Sequence, residues 1–456
     1  MTQSRSVRRQ SGARGGRTRA FVSRVEAATE PGRDRYLDLV RVAAILMVIL
    51  GHWLVRVVVA PEGEPQTGYL LALEPGWQWA TLIWQVMPLI FLVGGALNAV
   101  SWRRARSDGV APADWIRRRA RRLLRPTVPL LLVVVSAWLA VDLLIPGMLL
   151  VEPGVALIPL WFVAAYLVVL ALTPATLDLH ERGWSLPAIV AAVMAAGILD
   201  ALQLTGRGPV LGTQPLVALP NFLLIWTAIH QLGHLWADRQ LPMRPAGQML
   251  LVAFGAVALA ILIGMAGWPL SMVPVEGVPE PDNAAPPTVA LFALALVQIG
   301  VVLLAREPLR RALEQPVMWA VVAVLGARMM TLFLWHQVAM VVVTNLAAQL
   351  NWLPLSEVID ARWWAQQPLW LAAFAAALVG FVMAVGRFED SGKPSAHPDN
   401  GGWLATVSGI VLVAGGIAGL LWLAVTAFPA SIALVFLAMV LAGCRTLGAL
   451  GQRAAC

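Results

Sequence analysis

Twelve long stretches of predominantly apolar residues divide the sequence, and no other feature limits the possible folds as strongly. A helix needs about 20 such residues to cross the hydrocarbon core of a bilayer, where every backbone polar group must be paired within the protein. The chain is therefore predicted to be all-α, a polytopic bundle of transmembrane helices. The predicted spans cover residues 37–60, 79–100, 127–146, 155–176, 186–204, 216–236, 247–268, 286–305, 327–349, 367–386, 403–424 and 427–444, and residues 316–326 are expected to form a short interfacial helix.

The composition excludes a soluble protein with a charged surface. Of the 456 residues, 59% are hydrophobic and 13% are charged, whereas an average soluble domain has about 25% charged residues. The net charge of +8 comes almost wholly from arginine, and the basic residues cluster beside the apolar stretches. This distribution indicates orientation in a membrane, so no nucleic-acid partner is expected. The two cysteines, Cys444 and Cys456, provide neither a disulfide framework nor a cysteine metal site.

Arginine and lysine are distributed very unequally between the two sides of the predicted bundle. When the loops are assigned alternately with the N-terminus inside, the inside segments hold 28 of these residues and the outside loops hold 2. Cytoplasmic loops carry the excess of positive charge in membrane proteins. Both termini are therefore predicted to lie in the cytoplasm, with the protein spanning the plasma membrane.

Polar breaks in the apolar pattern divide the chain into four regions. Residues 1–35 hold nine arginines and are predicted to form a disordered cytoplasmic arm, either a topology signal alone or a segment that binds anionic lipid. Residues 36–390 form a ten-span transmembrane domain, and residues 391–402 form a polar linker. Residues 403–456 hold a C-terminal pair of spans and a tail. This pair is interpreted as a packing or oligomerisation element because it carries no charge from Trp403 to Cys444.

The first span contains Asp38, Arg41 and His52, ionisable residues that are costly in a membrane and therefore candidates for function. Arg41 and His52 are eleven residues apart, so they lie on one face of a helix, about 16 Å apart along its axis. Asp38 precedes Arg41 by three residues and is within reach of it. Arg41 is either an anchor paired with Asp38 or part of a route across the membrane. His52 is either a hydrogen-bonded bundle histidine or a general base that acts on a hydroxyl group.

Two further segments carry candidate binding residues. In the second span, Phe91 precedes Gly94, whose lack of a side chain permits close approach of another helix or of a ligand. Six arginines crowd the loop before the third span, between residues 117 and 125. Guanidinium groups suit phosphate, so this run favours a ligand with several phosphates, such as coenzyme A, with anionic lipid headgroups as the alternative.

Histidine occurs at four other places. The sixth span carries His230, His234 and Asp238 at i, i+4 and i+8, a spacing compatible with metal ligands, although an interfacial polar face is the favoured interpretation and no metal is expected. His336 in the ninth span is a second candidate for a buried histidine. His180 and His397 fall in predicted cytoplasmic loops and are expected to be solvated.

Taken in order along residues 34–390, these elements resemble the acyltransferase-3 family of membrane acyltransferases, which acylate cell-surface sugars and related acceptors. The segments 160–174 and 331–337 resemble later parts of the same family, and they contain Trp161 and His336. The matching motifs are an arginine and a histidine separated by ten residues (Arg41 and His52), Phe-x-x-Gly (Phe91 and Gly94) and Arg-x-x-Arg (Arg119 and Arg122, with Arg118–Arg121 and Arg122–Arg125 at the same spacing).

The resemblance implies an acyl-coenzyme A donor on the cytoplasmic side, an acceptor hydroxyl often presented from outside, and no permanently bound cofactor. Arg41 and His52 would be essential, while Arg119, Arg122, Phe91 and Gly94 would form the donor site. The leading hypothesis is O-acyl transfer to a carbohydrate, a lipid-linked glycan or a related acceptor, with membrane lipids as further partners. The alternatives are a transporter or flippase of an acyl or glycan intermediate, and a structural partner of an envelope enzyme. The two C-terminal spans exceed the ten that are usual in the family.

Overall fold

The computed structural model describes residues 20, 22–30, 32–211, 214–275, 277, 282–350, 352, 354–389, 402–424, 426 and 429–450. Almost all of the regular structure in these residues is helical, which confirms the prediction of an all-α polytopic bundle. Within this described part of the chain, ten helical segments are long and apolar enough to cross a membrane. The described helices of ten or more residues are α1 (Arg35–Val55), α2 (Met87–Ser107), α3 (Pro112–Leu124), α4 (Thr127–Leu144), α5 (Leu160–Glu181), α6 (Ser185–Leu204), α7 (Asn221–Ala237), α8 (Pro245–Gly264), α9 (Val289–Ala312), α10 (Pro316–Ala327), α11 (Met329–Leu350), α12 (Ala361–Val385), α13 (Trp403–Ala424) and α14 (Ala433–Thr446).

Each of the twelve predicted spans coincides with one of these helices, but several boundaries differ from the predictions. Helix α1 begins at Arg35, where the side chain of Asp34 accepts hydrogen bonds from the backbone N–H groups of Tyr36 and Leu37. The helix ends at Val55, because residues Arg56–Val59 form strand β1, which pairs with β2 (Gln66–Tyr69) in an antiparallel hairpin. The predicted first span, residues 37–60, is therefore too long at its end. A second, very short hairpin pairs β3 (Val210–Leu211) with β4 (Gln214–Pro215).

The two ends of the bundle differ in chemistry and are named here for their contents. The basic face is the end that holds the start of α1, the end of α2 and helix α3. The hairpin face is the opposite end, where β1 and β2 follow α1. The basic segment between the second and third spans is helix α3 rather than a loop, and its hydrophobic residues lie on one side. Helix α10 matches the short helix expected at residues 316–326.

Glycines allow the backbones of α2 and α7 to touch where the two helices cross. A Cβ atom added to Gly95 would collide with the carbonyl oxygen of His230, and one added to Gly233 would collide with the carbonyl oxygen of Leu92. Only glycine permits this distance between helices. The crossing fixes α7 against α2. The residues near Gly95 on the two helices therefore keep fixed positions relative to each other.

The C-terminal pair packs against the ten-span body. Helix α13 contacts α14 along its length and also contacts α5, α3 and the turn that precedes α5. Val413, Ile417 and Leu420 of α13 are fully buried. Gly409 and Gly443 bring α13 and α14 close together, since a Cβ atom at Gly443 would lie 2.6 Å from the carbonyl oxygen of Gly409. These contacts hold α13 against the ten-span body.

Part of the N-terminal arm is ordered, contrary to the disorder predicted for residues 1–35. Residues 22–27 are helical, and Trp319 donates a hydrogen bond of 2.8 Å from Nε1 to Thr29 Oγ1. The guanidinium carbon of Arg35 lies 4.8 Å from the Trp319 ring centroid. Residues 1–19 and most of the predicted linker, residues 391–401, lie outside the described residues.

Candidate active site

Two histidines from opposite parts of the sequence form a hydrogen-bonded pair inside the bundle. His52 Nδ1 of α1 lies 2.9 Å from His336 Nε2 of α11, and the two rings stack with centroids 5.1 Å apart. His336 is fully buried, whereas His52 is only partly buried. Trp53 strengthens the junction, because its Nε1 donates a hydrogen bond of 3.0 Å to the carbonyl oxygen of His336. The pair therefore joins α1 to α11 and leaves one side of His52 accessible.

The surroundings of His336 determine which nitrogen of each neutral ring carries its proton. His336 Nδ1 lies 2.5 Å from the carbonyl oxygen of Phe333, which can only accept, so this nitrogen holds the proton. His336 Nε2 is then an acceptor, and His52 Nδ1 must donate to it. The remaining nitrogen, His52 Nε2, is therefore unprotonated, and it makes no hydrogen bond within the described part of the chain. An unprotonated, accessible imidazole nitrogen is the form that acts as a general base.

Arg41 lies on the same side of α1 as His52, toward α10 and α11. Its Nη2 is 3.9 Å from the position of a Cβ atom on Gly326, near the end of α10, and His336 follows ten residues later in the chain. The spacing of Arg41 and His52 predicts this common side.

The ion pair of Arg41 with Asp38 leaves part of the guanidinium unused. Arg41 Nη2 lies 3.2 Å from Asp38 Oδ1, but Asp38 also binds Arg33 at 2.6 Å. Arg41 Nε is buried and has no hydrogen-bond partner in the described residues. Because one carboxylate is divided between two guanidinium groups, Arg41 keeps donor capacity for an anionic or carbonyl group.

Phe91 and Trp161 belong to an aromatic cluster around Trp226. The Phe91 ring stacks on Trp226 with centroids 4.3 Å apart, and Trp161 stacks on Trp226 at 5.7 Å. Phe162 touches Phe333 edge to face at 5.4 Å, and Phe333 lies 5.9 Å from His336. The Phe-x-x-Gly motif is thereby connected to the histidine pair through aromatic contacts.

Gly94 provides the space that Tyr166 occupies. A Cβ atom at Gly94 would lie 2.7 Å from Tyr166 Cε2 and 2.8 Å from its hydroxyl oxygen. Asn98 donates a hydrogen bond of 3.1 Å from Nδ2 to that oxygen. Because the Tyr166 oxygen accepts this bond, its own O–H remains available as a donor. No sequence motif marks Tyr166 or Asn98, although Tyr166 is one of only three tyrosines in the chain.

Helix α3 presents its arginines in different environments. Arg117 is buried and paired with Asp114 at 2.5 Å, while Arg118 and Arg122 are exposed and Arg119 is partly buried. Burial lowers the pKa of Arg119, and the nearby cations Arg122 and Arg41 lower it further. Arg119 also interacts with Tyr166. Arg119 therefore lies near Arg122 on α3 and also near the interior residues Arg41 and Tyr166.

His180, His230 and His234 form a structural network rather than a solvated or interfacial face. His230 and His234 are fully buried, which contradicts the predicted interfacial face. His234 Nδ1 lies 3.2 Å from the carbonyl oxygen of Gly95, and its Nε2 lies 3.2 Å from Thr176 Oγ1. These bonds link α2, α5 and α7. Among the described residues, no group of three potential ligands could hold a metal ion.

His180 is buried, and the prediction that it is solvated is wrong. Its Nδ1 lies 2.8 Å from Ser185 Oγ, and its Nε2 lies 2.9 Å from Asp238 Oδ2. Asp238 also pairs with Arg103. The hydrogen bond from Arg103, and secondarily that from His180, lowers the pKa of Asp238 despite its partial burial. The other loop histidine, His397, lies outside the described residues.

A protein-family model matches most of the chain. The model for an acyltransferase domain, that of the acyltransferase-3 family, matches residues 34–387. No curated protein and no solved structure shows significant similarity to the chain. The matched residues contain the histidine pair, Arg41, the aromatic cluster and helix α3. The chain belongs to the acyltransferase-3 family of membrane acyltransferases.

Proposed function

We propose that this membrane acyltransferase moves an acyl group from acyl-coenzyme A to a hydroxyl group of a carbohydrate, a lipid-linked glycan or a related acceptor. The observation that carries the proposal is the histidine pair, in which His336 fixes the His52 tautomer with an unprotonated Nε2. An imidazole in this form removes the proton of a hydroxyl group as that group attacks a thioester.

The charge distribution supports placing the basic face in the cytoplasm of a cell with the protein in its plasma membrane. The basic face holds helix α3 and the start of α1, where the described arginines cluster. Positive residues favour the cytoplasmic side. The acyl-coenzyme A donor would then reach α3 from the cytoplasm, and the acceptor would approach His52 from the hairpin face.

Arg119 and Arg122 are suited to hold the phosphates of the donor. Both lie on α3, and Arg119 is also close to Arg41 and Tyr166 in the interior. A bound anion would relieve the mutual repulsion of these cations. The flexible arm of coenzyme A would extend from α3 past Arg41 and Tyr166 toward His52. Arg41 Nε, which lacks a partner, and the Tyr166 hydroxyl are the donors available to its amide or thioester carbonyls.

The proposed chemical step needs no group beyond the two substrates and His52. His52 Nε2 takes the proton of the acceptor hydroxyl while its oxygen forms a bond to the carbonyl carbon of the thioester. The carbon–sulfur bond then breaks, and the sulfur of coenzyme A leaves with the proton that His52 returns. The products are the ester and the free thiol. His336 Nε2 stabilises the transient imidazolium of His52, because it accepts the hydrogen bond from Nδ1.

Purified protein in liposomes, supplied with acetyl-coenzyme A carrying a labelled acetyl group, tests the proposal. We expect the wild type to transfer the label to extracted envelope glycans and lipids, and the His52→Ala variant to transfer none while it keeps its melting temperature. The Trp422→Phe variant on α13 serves as a control outside the candidate site. Transfer by His52→Ala at the wild-type rate would contradict the role of His52. Movement of unmodified substrate without loss of the acetyl group would identify a carrier instead.

A further inference from the structure

A chain of hydrogen bonds runs from Tyr166 of α5 through α2 to α7. Asn98 Nδ2 of α2 lies 3.1 Å from the Tyr166 hydroxyl oxygen and 3.2 Å from His230 Nε2 of α7. Asn98 and His230 are buried, whereas Tyr166 is partly exposed. A ligand inside the bundle would therefore contact Tyr166, and the other two residues would act on that ligand only through Tyr166.

The hydrogen-bond partners determine which nitrogen of His230 carries the proton. An amide nitrogen has two hydrogens and can only donate, so Asn98 gives one hydrogen to Tyr166 and the other to His230. His230 Nε2 is therefore the acceptor, and in the neutral ring Nδ1 carries the proton. This Nδ1 is buried and has no hydrogen-bond partner among the described residues. A buried donor without a partner destabilises a fold, so stability alone does not account for a histidine at this position.

The acceptor nitrogen of His230 sets the orientation of the Asn98 amide group. With this acceptor in place, the amide nitrogen faces both His230 and Tyr166, and the tyrosine oxygen accepts a hydrogen bond. Without it, the amide group can rotate so that its oxygen faces Tyr166, and the hydroxyl group would then donate its own hydrogen to Asn98. The first arrangement leaves the Tyr166 O–H free to bind a ligand, and the second occupies it.

The contact between α2 and α7 keeps Asn98 and His230 at a fixed separation. The carbonyl oxygen of His230 lies so close to Gly95 that no Cβ atom fits between them. Asn98 follows Gly95 by three residues, which is about one helical turn. Because the two backbones touch here, the Asn98 amide group and the His230 ring cannot move apart without separating the helices.

Tyr166 lies between helix α3 and the histidine pair. It is close to Arg119, and its ring centroid lies 5.3 Å from that of Phe162. Phe162 in turn contacts Phe333, which lies beside His336. The arm of coenzyme A that joins its phosphates to its sulfur contains two amide groups, and their carbonyl oxygens accept hydrogen bonds. An arm that extends from α3 toward the histidine pair would pass the Tyr166 hydroxyl group.

We propose that His230 and Asn98 are positioning residues that keep the Tyr166 O–H free to bind an amide carbonyl of the coenzyme A arm. His230 supplies the acceptor that orients Asn98, and Asn98 holds the tyrosine oxygen as an acceptor. The inference rests on the proposed function, because it takes coenzyme A as the carrier of the acyl group.

Equilibrium binding of coenzyme A to the full chain in liposomes tests the inference, with adenosine 3′,5′-bisphosphate as a comparison ligand that has phosphates but no arm. His230→Leu removes the acceptor for Asn98, whereas His230→Gln can present its side-chain oxygen there. We expect His230→Leu and Asn98→Leu to raise the Kd of coenzyme A about three- to tenfold, and His230→Gln to stay within about twofold of the wild type. The Kd of the bisphosphate should stay unchanged in all three variants.

Tyr166→Phe provides a second measurement, because it removes the hydroxyl group through which the other two residues act. It should raise the Kd of coenzyme A by a similar factor, and the addition of His230→Leu to Tyr166→Phe should weaken binding no further. Two residues that merely stabilised the fold would instead give independent effects.

His234→Gln is the matched control, because His234 is also fully buried on α7 but lies within hydrogen-bond distance of the Gly95 carbonyl oxygen and of Thr176 instead of Asn98. This variant should bind coenzyme A as the wild type does, even if its melting temperature falls. Wild-type affinity in both leucine variants, equal weakening of both ligands, an equal effect of His234→Gln, or a further loss in the double variant would overturn the inference and leave the proposed function standing. A wild type that binds neither ligand would contradict the proposed function and the inference together.

Discussion

His52 Nδ1 donates a hydrogen bond of 2.9 Å to His336 Nε2, and the direction of this bond is set by the carbonyl oxygen of Phe333 behind His336. The arrangement resembles the base and orienting group of a hydrolase triad, except that the orienting group is a neutral imidazole rather than a carboxylate. Its role is to select one tautomer of His52. Substitutions at His336 should therefore act on catalysis through His52, without contact between His336 and a substrate.

The His336→Gln and His336→Leu variants should differ in activity. The side-chain oxygen of glutamine can accept the proton from His52 Nδ1, whereas leucine offers no acceptor. We expect His336→Gln to keep activity within about tenfold of the wild type, and His336→Leu to lose roughly 100-fold in kcat. Steady-state kinetics of acyl transfer, with melting temperatures for both variants, provides the measurement. Equal activity of the two variants would show that the tautomer of His52 does not matter.

Gly94→Ala should impair transfer and destabilise the fold less than Gly95→Ala does. Its Cβ atom would lie 2.7 Å from the Tyr166 ring, so the ring must shift and the hydrogen bond from Asn98 must lengthen. Overpacking of this kind costs about 1–3 kcal/mol, and a similar loss in the transition state corresponds to a rate reduction of about 10- to 100-fold. Activity and thermal unfolding of the purified variant provide the measurement.

Two other glycines give the controls for Gly94→Ala. Gly380→Ala on α12 should behave as the wild type, since no atom lies within 4 Å of its added Cβ. Gly95→Ala should reduce the yield of folded protein, because its Cβ would meet the backbone of α7, which cannot move as a side chain does. If Gly94→Ala retained full activity, the position of Tyr166 would not matter for transfer.

Arg119→Ala should weaken donor binding much more than Arg118→Ala. Both residues lie on α3 and lose the same charge, but Arg119 is partly buried close to Arg41 and Tyr166, whereas Arg118 is exposed. A charge-assisted hydrogen bond contributes about 1.5–3 kcal/mol, so the KM for acyl-coenzyme A should rise about 10- to 100-fold in Arg119→Ala. Arg118→Ala should stay within about twofold. Equal effects would mean that the helix acts through net charge alone.

The positions of the twelve predicted spans along the chain and the common side of Arg41 and His52 could be predicted because both follow from local rules. Apolar length marks a span, and 3.6 residues per turn place two residues on one face. The pairing of His52 with His336 depends on tertiary packing between residues 284 positions apart in the chain. Sequence identified both as buried candidates, but no local pattern indicates which other side chain each will meet.

For His180 the local pattern gives a wrong prediction, because tertiary contacts determine the environment of its side chain. Its position near a helix end suggests a solvated loop, yet Asp238 from α7 and Ser185 from α6 surround it with partners. Tyr166 was overlooked for a similar reason, since an isolated tyrosine in an apolar run carries no motif. Its significance follows from the space left by Gly94 and from the bond to Asn98, and both depend on helix crossings that no single segment determines.

The carboxyl group of Asp282, in the loop between α8 and α9, should make that loop less stable as the pH rises. Its Oδ1 accepts hydrogen bonds from the backbone N–H groups of Ala284 and Ala285, at 2.6 and 2.8 Å. Burial nevertheless raises its pKa to about 6, and Asp200 lines the same small cavity. An unfolded aspartate has a pKa of about 3.9, so the folded loop binds the proton more tightly.

The stabilisation from this proton is complete below about pH 4 and is lost as the pH rises through about 6, with a total effect of no more than about 3 kcal/mol. Asp282→Asn keeps the acceptor oxygen but cannot ionise, so its loop should not respond to pH. Hydrogen–deuterium exchange of residues 283–289, corrected for the intrinsic rate, should show stronger protection at pH 5 than at pH 8 in the wild type and equal protection in the variant. A wild-type loop that is more protected at pH 8 would contradict this prediction. It would mean that the ionised carboxylate stabilises the loop, because the hydrogen bonds from the two backbone N–H groups outweigh the cost of burying the charge.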